Sequence, residues 1–369
     1  MGLKMLCRKS SVLYACQQHV TVAASSFPGS FMCIDRVTSR IFMNIKHFSS
    51  YNGNPLHSKL PIVHHKDYVC YLPPNHRFPM QKFTKVLNFL LKDGVITANQ
   101  VSEPDLPSKE TVTCVHSKTY IDKFFDGGTD TKEQRVTGFK WSEGLVRRCR
   151  LETGNCVVLL MGTILAADIA LSRGLACSTA GGTHHAFPDY GSGFCLLNDL
   201  AVAAKQMILQ KKAQKVLIID LDVHQGDGTA FIFQNDPCVF TLSVHNGKNF
   251  PLTKQQSDLD VSLEDKIEDQ EYLRVVKDHV PWVLDTFRPD LVLYDAGVDP
   301  HIDDDLGRLS LTDQGLFARD FWVLDYIASK GYPCAAVIGG GYSRNLDALA
   351  LRHTILHRAA TKVWQERGL

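Results

Sequence analysis

The densest chemical signal lies where Asp220, Leu221, Asp222, Val223, His224, Gln225, Gly226, Asp227 and Gly228 follow the apolar run 216–219. If that strand continues briefly, its two-residue period puts Asp220, Asp222 and His224 on one face, where carboxylate and imidazole can converge on one ion. Gly226 and Gly228 let the backbone turn sharply beside it. A second apolar run, 291–294, is followed by Asp295, Ala296, Gly297, Val298 and Asp299 and offers a third ligand. Two carboxylates and one histidine make a hard, oxygen-rich site with a position left open. Such a site suits catalytic Zn2+ and also accommodates Fe2+ or Mn2+.

An Asp at a strand end is also an ordinary turn former or helix cap, so D-x-D-x-H alone does not decide the matter. The segment Gly181-Gly182-Thr183-His184-His185-Ala186-Phe187-Pro188 adds weight. A lone His is usually a core or surface residue, but adjacent histidines after two glycines, in a chain already offering a metal site, are hard to explain by packing. Tyr342 follows Gly339, Gly340 and Gly341, which allow its loop to approach the site closely. Without the metal site, that stretch would read as a Gly-rich turn and no more.

These residues need a scaffold that presents strand ends. Short apolar, β-rich runs at 216–220, 239–244, 291–294 and 335–338 alternate with helical patterns at 155–173 and 199–211. A third helix is predicted from Thr312, a good N-cap, to Gly331, a good C′ residue. Pro281 interrupts the pattern over 271–287 and is expected to kink or split it. The alternation predicts an α/β fold with a doubly wound, mostly parallel sheet, whose sites lie outside the carboxyl ends of the strands.

Composition bounds the rest. The 369 residues are 44% hydrophobic and 21% charged, enough for a large core. Lys plus Arg number 40 against 39 Asp plus Glu, a net charge of +1, which argues against a protein held to nucleic acid by bulk electrostatics. No basic, aromatic-interleaved tract indicates direct nucleic-acid binding. The 11 cysteines form no C-x-x-C pair, so a reducing compartment is the simplest reading. No stretch of about 18 apolar residues is present, so no membrane span is expected.

Residues 1–55 read as an N-terminal extension, and 60–369 as one catalytic domain. Up to Ser50 the extension carries Lys4, Arg8, Lys9, Arg36, Arg40 and Lys46 against the single acid Asp35. That is the composition of an organellar transit peptide, and a disordered arm fits equally. Either way it is left out of the expected fold.

Together these motifs resemble the histone deacetylase family of zinc-dependent acyl-lysine hydrolases, within the wider arginase and deacetylase fold. The resemblance runs from about Leu60 to the C-terminus. It rests on Val115-His116-Ser117 with Tyr120, the Gly-Gly-Thr-His-His run, Ser192-Gly193-Phe194-Cys195 with Asn198-Asp199, Asp220 to Gly228, Ser243-Val244-His245, Asp299 and the Gly-Gly-Gly-Tyr of residues 339–342. Gln225, where class I members have a second histidine, and Asn75-His76-Arg77-Phe78-Pro79-Met80 look more like the class IV branch and its bacterial relatives.

The resemblance implies one three-layer domain, with an eight-stranded, mostly parallel sheet covered by helices on both faces. It implies that Asp222, His224 and Asp299 bind Zn2+, and that His184 and His185 are tandem catalytic histidines partnered by Asp220 and Asp227. Tyr342 would be the catalytic tyrosine, and Gly193, Phe194 and Phe250 would line an acyl-lysine tunnel. Asp220, Asp222, His224, Ser243 and Val244 match an inner monovalent-cation site, taken to be K+. The activity implied is removal of acetyl or longer acyl groups from lysine in histones or other proteins, with corepressor-type partners and a role in chromatin and transcription. A nuclear or cytoplasmic location follows from the resemblance, and an organellar one from a transit peptide. The alternatives are a deacetylase of small amines such as acetylpolyamines, a catalytically weak acyl-lysine-binding scaffold, and an arginase-like ureohydrolase. The acidic run Asp303-Asp304-Asp305 reads as a solvated loop.

Overall fold

The computed structural model describes residues 5–7, 59–106, 108–128, 131–153 and 162–369; apart from residues 5–7, the N-terminal extension, read as a transit peptide or a disordered arm, lies outside them. One sheet holds β1 (Met5–Cys7), β2 (Ile62–Val63), β3 (Val101–Ser102), β4 (Leu175–Ser178), β5 (Val216–Asp220), β6 (Val239–Asn246), β7 (Leu259–Leu263), β8 (Leu291–Asp295) and β9 (Cys334–Val337). The spatial order is β1-β7-β6-β5-β8-β9-β4-β2-β3. The eight strands from β7 to β3 run parallel, and β1 alone pairs antiparallel, along β7. Met5–Cys7 therefore adds an edge strand from a segment that the sequence reading left out of the fold.

The central strands are apolar runs because both of their faces are covered. Every residue of β5, β6, β8 and β9 is buried. Asp269–Phe287, Asp313–Ser329, Leu346–Arg367 and Lys82–Lys92 pack in succession as one helical layer, and Glu143–Thr153, Gly162–Arg173, Asp199–Leu209 and Asp227–Phe233 form another. This is the expected three-layer α/β arrangement. No helix among the described residues is long and apolar enough to cross a membrane.

Two local expectations need correction. One helix, Asp269–Phe287, runs through Pro281 without splitting. The carbonyl that proline leaves unbonded four residues back belongs to exposed Lys277, within reach of water, while Val275, Val276, Val280, Val283 and Leu284 are buried and keep the helix packed on the core. Further, β5 ends at Asp220, so Asp222 and His224 are not on the face of a strand.

From β5 the chain moves outward through β6 and β7, whereas β8 lies on the other side of β5 with β9 beyond it. The crevice between the carboxyl ends of β5 and β8 is thus a topological switch point, where open α/β sheets place their sites.

Candidate active site

Beyond Asp220 the acidic side chains themselves shape the loop. Asp220 Oδ1 accepts the Asp222 N–H (3.1 Å), and Asp222 Oδ1 accepts the His224 N–H (2.9 Å). These are successive Asx turns, in which a carboxylate replaces the missing ladder bond two residues on. Side chains that a continued strand would have aligned are brought together by this turn instead.

The loop after β8 is fastened to the loop after β5 by the Val223 N–H, which donates to Asp299 Oδ1 (2.8 Å). The loop after β9 is held by the Gly340 N–H, which donates to Asp222 Oδ2 (2.8 Å). His224 Nδ1 then lies 2.9 Å from Asp222 Oδ1 and 3.1 Å from Asp299 Oδ2. All three side chains are buried, with donor atoms within 4.8 Å of one another.

A tetrahedral zinc ion with bonds of about 2.0–2.2 Å separates its ligands by roughly 3.3 Å, so the donor set fits one such ion. Burial, and then the charge of Asp222, push Asp299 up to about 7. A divalent cation between the two carboxylates would relieve that conflict.

Beside this trio, His184 Nδ1 lies 2.7 Å from Asp220 Oδ2 and His185 Nδ1 lies 2.6 Å from Asp227 Oδ1. Their Nε2 atoms face each other at 3.2 Å. Burial opposes a charge on His184, but Asp220, then Asp222, outweigh it and hold its pKa well above the ordinary value. Burial, and then the neighbouring His184, lower His185 to about 4. One imidazolium thus stands next to one neutral imidazole.

The histidine loop is fixed from below by buried Asp199, which accepts the N–H groups of Gly182 (3.1 Å) and Thr183 (2.7 Å). At Gly182, where φ is +88°, an added Cβ would come within 2.6 Å of the Gly339 Cα, so the loops after β4 and β9 can meet only through glycine.

Tyr342 is almost fully buried. Its ring lies 6.2 Å from that of His224 and 5.8 Å from that of Phe194. Burial, and then Asp222, raise its pKa well above the usual value, so the phenol keeps its proton. Phe250, about two-fifths exposed, meets His185 edge-on at 4.9 Å. An added Cβ on Gly193 would come within 2.6 Å of His185 and 2.9 Å of Phe250. Gly193 and Phe250 therefore stand beside His185, and Phe194 beside Tyr342. Ser243 pairs in register with Asp220 along the β5–β6 ladder; its hydroxyl is hydrogen-bonded to His245 Nδ1 (2.9 Å), and Val244 is buried.

Several groups at the site escaped the sequence reading. Asp304 is no solvated residue: it accepts the N–H groups of Tyr342 (2.7 Å), Leu306 (2.8 Å) and Gly307 (2.9 Å) and so fastens the tyrosine loop. Buried Lys82 donates to the Gly339 carbonyl (3.2 Å), with its ammonium 5.9 Å from the Tyr342 ring centre. Asp295 groups with His184 and Asp220, and both of its buried oxygens lack a hydrogen-bond partner among the described residues.

Beneath the switch point, fully buried Arg319 donates to the carbonyls of Gly297 (2.8 Å), Leu221 (3.2 Å) and Ala296 (3.3 Å) and pairs with Asp320 (2.8 Å). Only Asp295 carried a usable signal, since it directly follows the apolar run of β8. An Arg-Asp pair in a helix reads as surface.

A histone deacetylase domain matches residues 76–357. The chain belongs to the histone deacetylase family. It is 51% identical over 304 residues to an uncharacterized protein of Picosynechococcus, covering 82% of this chain and 99% of that one. It is 29% identical to Histone deacetylase 2 of Arabidopsis thaliana, over 78% of this chain and 76% of that protein. It is 30% identical to the acetoin utilization protein AcuC of Staphylococcus aureus, over 73% of each chain. As a histone deacetylase family member, the chain is a deacetylase-type hydrolase, and its buried His and Asp groups are candidate metal-binding residues.

Proposed function

We propose that the chain is a zinc-dependent deacylase that removes acetyl or longer acyl groups from the ε-amine of lysine in histones or other proteins. The observation that carries this reading is the pair His184 and His185, one charged and one neutral, each backed by a carboxylate and set beside the Asp222, His224 and Asp299 donors.

Asp222, His224 and Asp299 would hold the ion. When bound, it supplies a Lewis acid for the amide carbonyl and acidifies water towards a pKa of about 7. His185 is the neutral partner, and its Nε2 accepts a proton from the attacking water while Asp227 steadies the imidazolium that forms. The same Nε2–H then protonates the lysine amine as the C–N bond breaks. His184, kept cationic by Asp220, stabilises the negative charge that develops on the way. Tyr342 donates its phenol hydrogen to the developing oxyanion. Gly193, Phe194 and Phe250 enclose the methylenes of the substrate lysine and exclude water. Asp220, Asp222, His224, Ser243 and Val244 would hold an inner K+.

The test is to supply the zinc-loaded protein with acetyl- and longer-acyl-lysine peptides and with acetylpolyamines. Release of the acyl group from the peptides, abolished by a chelator and outcompeting acetylpolyamines, is expected. Hydrolysis of no acyl-lysine of any chain length would sink the reading, and a preference for acetylpolyamines would replace its substrate.

A further inference from the structure

Gly193 and Phe194 also border a cavity of about 350 Å³ that none of the roles above uses. Its other walls include His76, Arg77, Arg135 and Gly138. One wall is held by hydrogen bonds and stacking. His76 accepts the Phe78 N–H at Nδ1 (3.0 Å), so its Nε2 carries the proton given to the Gly138 carbonyl (2.8 Å), and its ring stacks on Phe139 at 5.4 Å. A Cβ on Gly138 would come within 2.7 Å of the Phe194 ring, so this wall lies directly against the tunnel residue.

The charges in the cavity are of a different kind. Arg77 and Arg135 are both exposed, and neither guanidinium has a salt bridge or side-chain hydrogen bond among the described residues. Among the described residues no Asp or Glu lines the cavity. The neighbouring acid Glu133 is paired with Lys123 (2.6 Å). Two guanidiniums at one cavity thus lack a carboxylate partner among the described residues, and the guanidinium fork is built to bind one.

We infer that this cavity is a specificity subsite for an acidic side chain of the substrate, close in sequence to the acyl-lysine. The inference rests on the reading of the chain as an acyl-lysine hydrolase and narrows its substrate class. An extended peptide advances about 3.3 Å per residue, so with Phe194 shared between tunnel and cavity, the Asp or Glu sits roughly one to three residues from the acyl-lysine. The same charges disfavour a polyamine, which is cationic along its length.

The test uses the full chain and three acetyl-lysine peptides with acidic, neutral or basic flanks. Cleavage (kcat/KM) and binding (fluorescence anisotropy) are both measured, in the wild type and in Arg77→Glu/Arg135→Glu, with Arg77→Gln/Arg135→Gln as a milder second variant. In the wild type the acidic peptide should exceed the neutral one by about 5- to 10-fold at low salt, the margin shrinking as salt is added. The ratio should fall to about one in the Gln pair and invert in the Glu pair. The same ratio in all three proteins overturns the inference and leaves the acyl-lysine reading standing. An arginine-dependent binding preference without cleavage of any peptide does the reverse: it overturns the hydrolase reading and keeps the subsite.

Discussion

The floor of the site and its mouth are built on opposite principles. At the floor, Asp222 and Asp299 each accept a backbone N–H from another loop while turning a second oxygen towards His224, and His184 and His185 each rest on a carboxylate. At the mouth, Arg77 and Arg135 border a cavity with no partner among the described residues. A group bound on several sides cannot be changed without moving three loops, whereas a free guanidinium can be exchanged at small cost. On the proposed reading, the chemistry is fixed at the strand ends and discrimination among substrates is left to the rim.

The sharpest way to break this contrast is to remove a support that touches no substrate. Arg319→Met leaves the buried Asp320 carboxylate without its cation, held by the Tyr294 hydroxyl alone, and removes the guanidinium donors to three carbonyls at the tips of β5 and β8. It should cost about 3–5 kcal/mol of stability, read from the urea midpoint. A loss below about 1 kcal/mol would show that the floor is not braced from beneath.

Tyr342→Phe keeps the ring against Phe194 and His224 and deletes the hydroxyl proposed to donate to the oxyanion. A fall of about two to three orders of magnitude in kcat is expected, with KM little changed. An unchanged kcat would remove the phenol from the mechanism.

Acid should loosen the floor before the mouth. His116 donates from Nδ1 to the Phe187 carbonyl (2.9 Å) and accepts the Asn198 N–H at Nε2 (2.9 Å), so a second proton would break the latter bond. Burial lowers its pKa from 6.5 to about 4. The unfolded chain takes up that proton near 6.5 and the folded chain only near 4. The contribution is therefore complete above pH 6.5 and lost as pH falls towards 4, at most about 3 kcal/mol. Urea midpoints measured across that window should show a shallower slope in His116→Gln than in the wild type. The smallest effect belongs to the rim, where the arginine pair changes selectivity by a factor rather than by orders of magnitude.

What was legible in the sequence follows the same division. Strands buried on both faces announce themselves as apolar runs, and the residues just after them, Asp220 and Asp295 to Asp299, were findable by that rule alone. The alternation of these runs with helices was enough for a doubly wound, mostly parallel sheet, and the family resemblance supplied the three-layer domain. The way Asp222 and His224 reach the site was not legible, because it depends on Asx turns that end the strand at Asp220. Asp304, Lys82 and Arg319 were also hidden. Each acts on a backbone group remote in the chain, and no local pattern sets such a residue apart from a solvated charge.

The central claim is that Asp222, His224 and Asp299 share one divalent ion, and metal content tests it most directly. After zinc loading and desalting, elemental analysis of the wild type and of Asp299→Ala should find about one zinc ion per chain in the first and close to none in the second. Two ions per wild-type chain, or full occupancy in the variant, would contradict it.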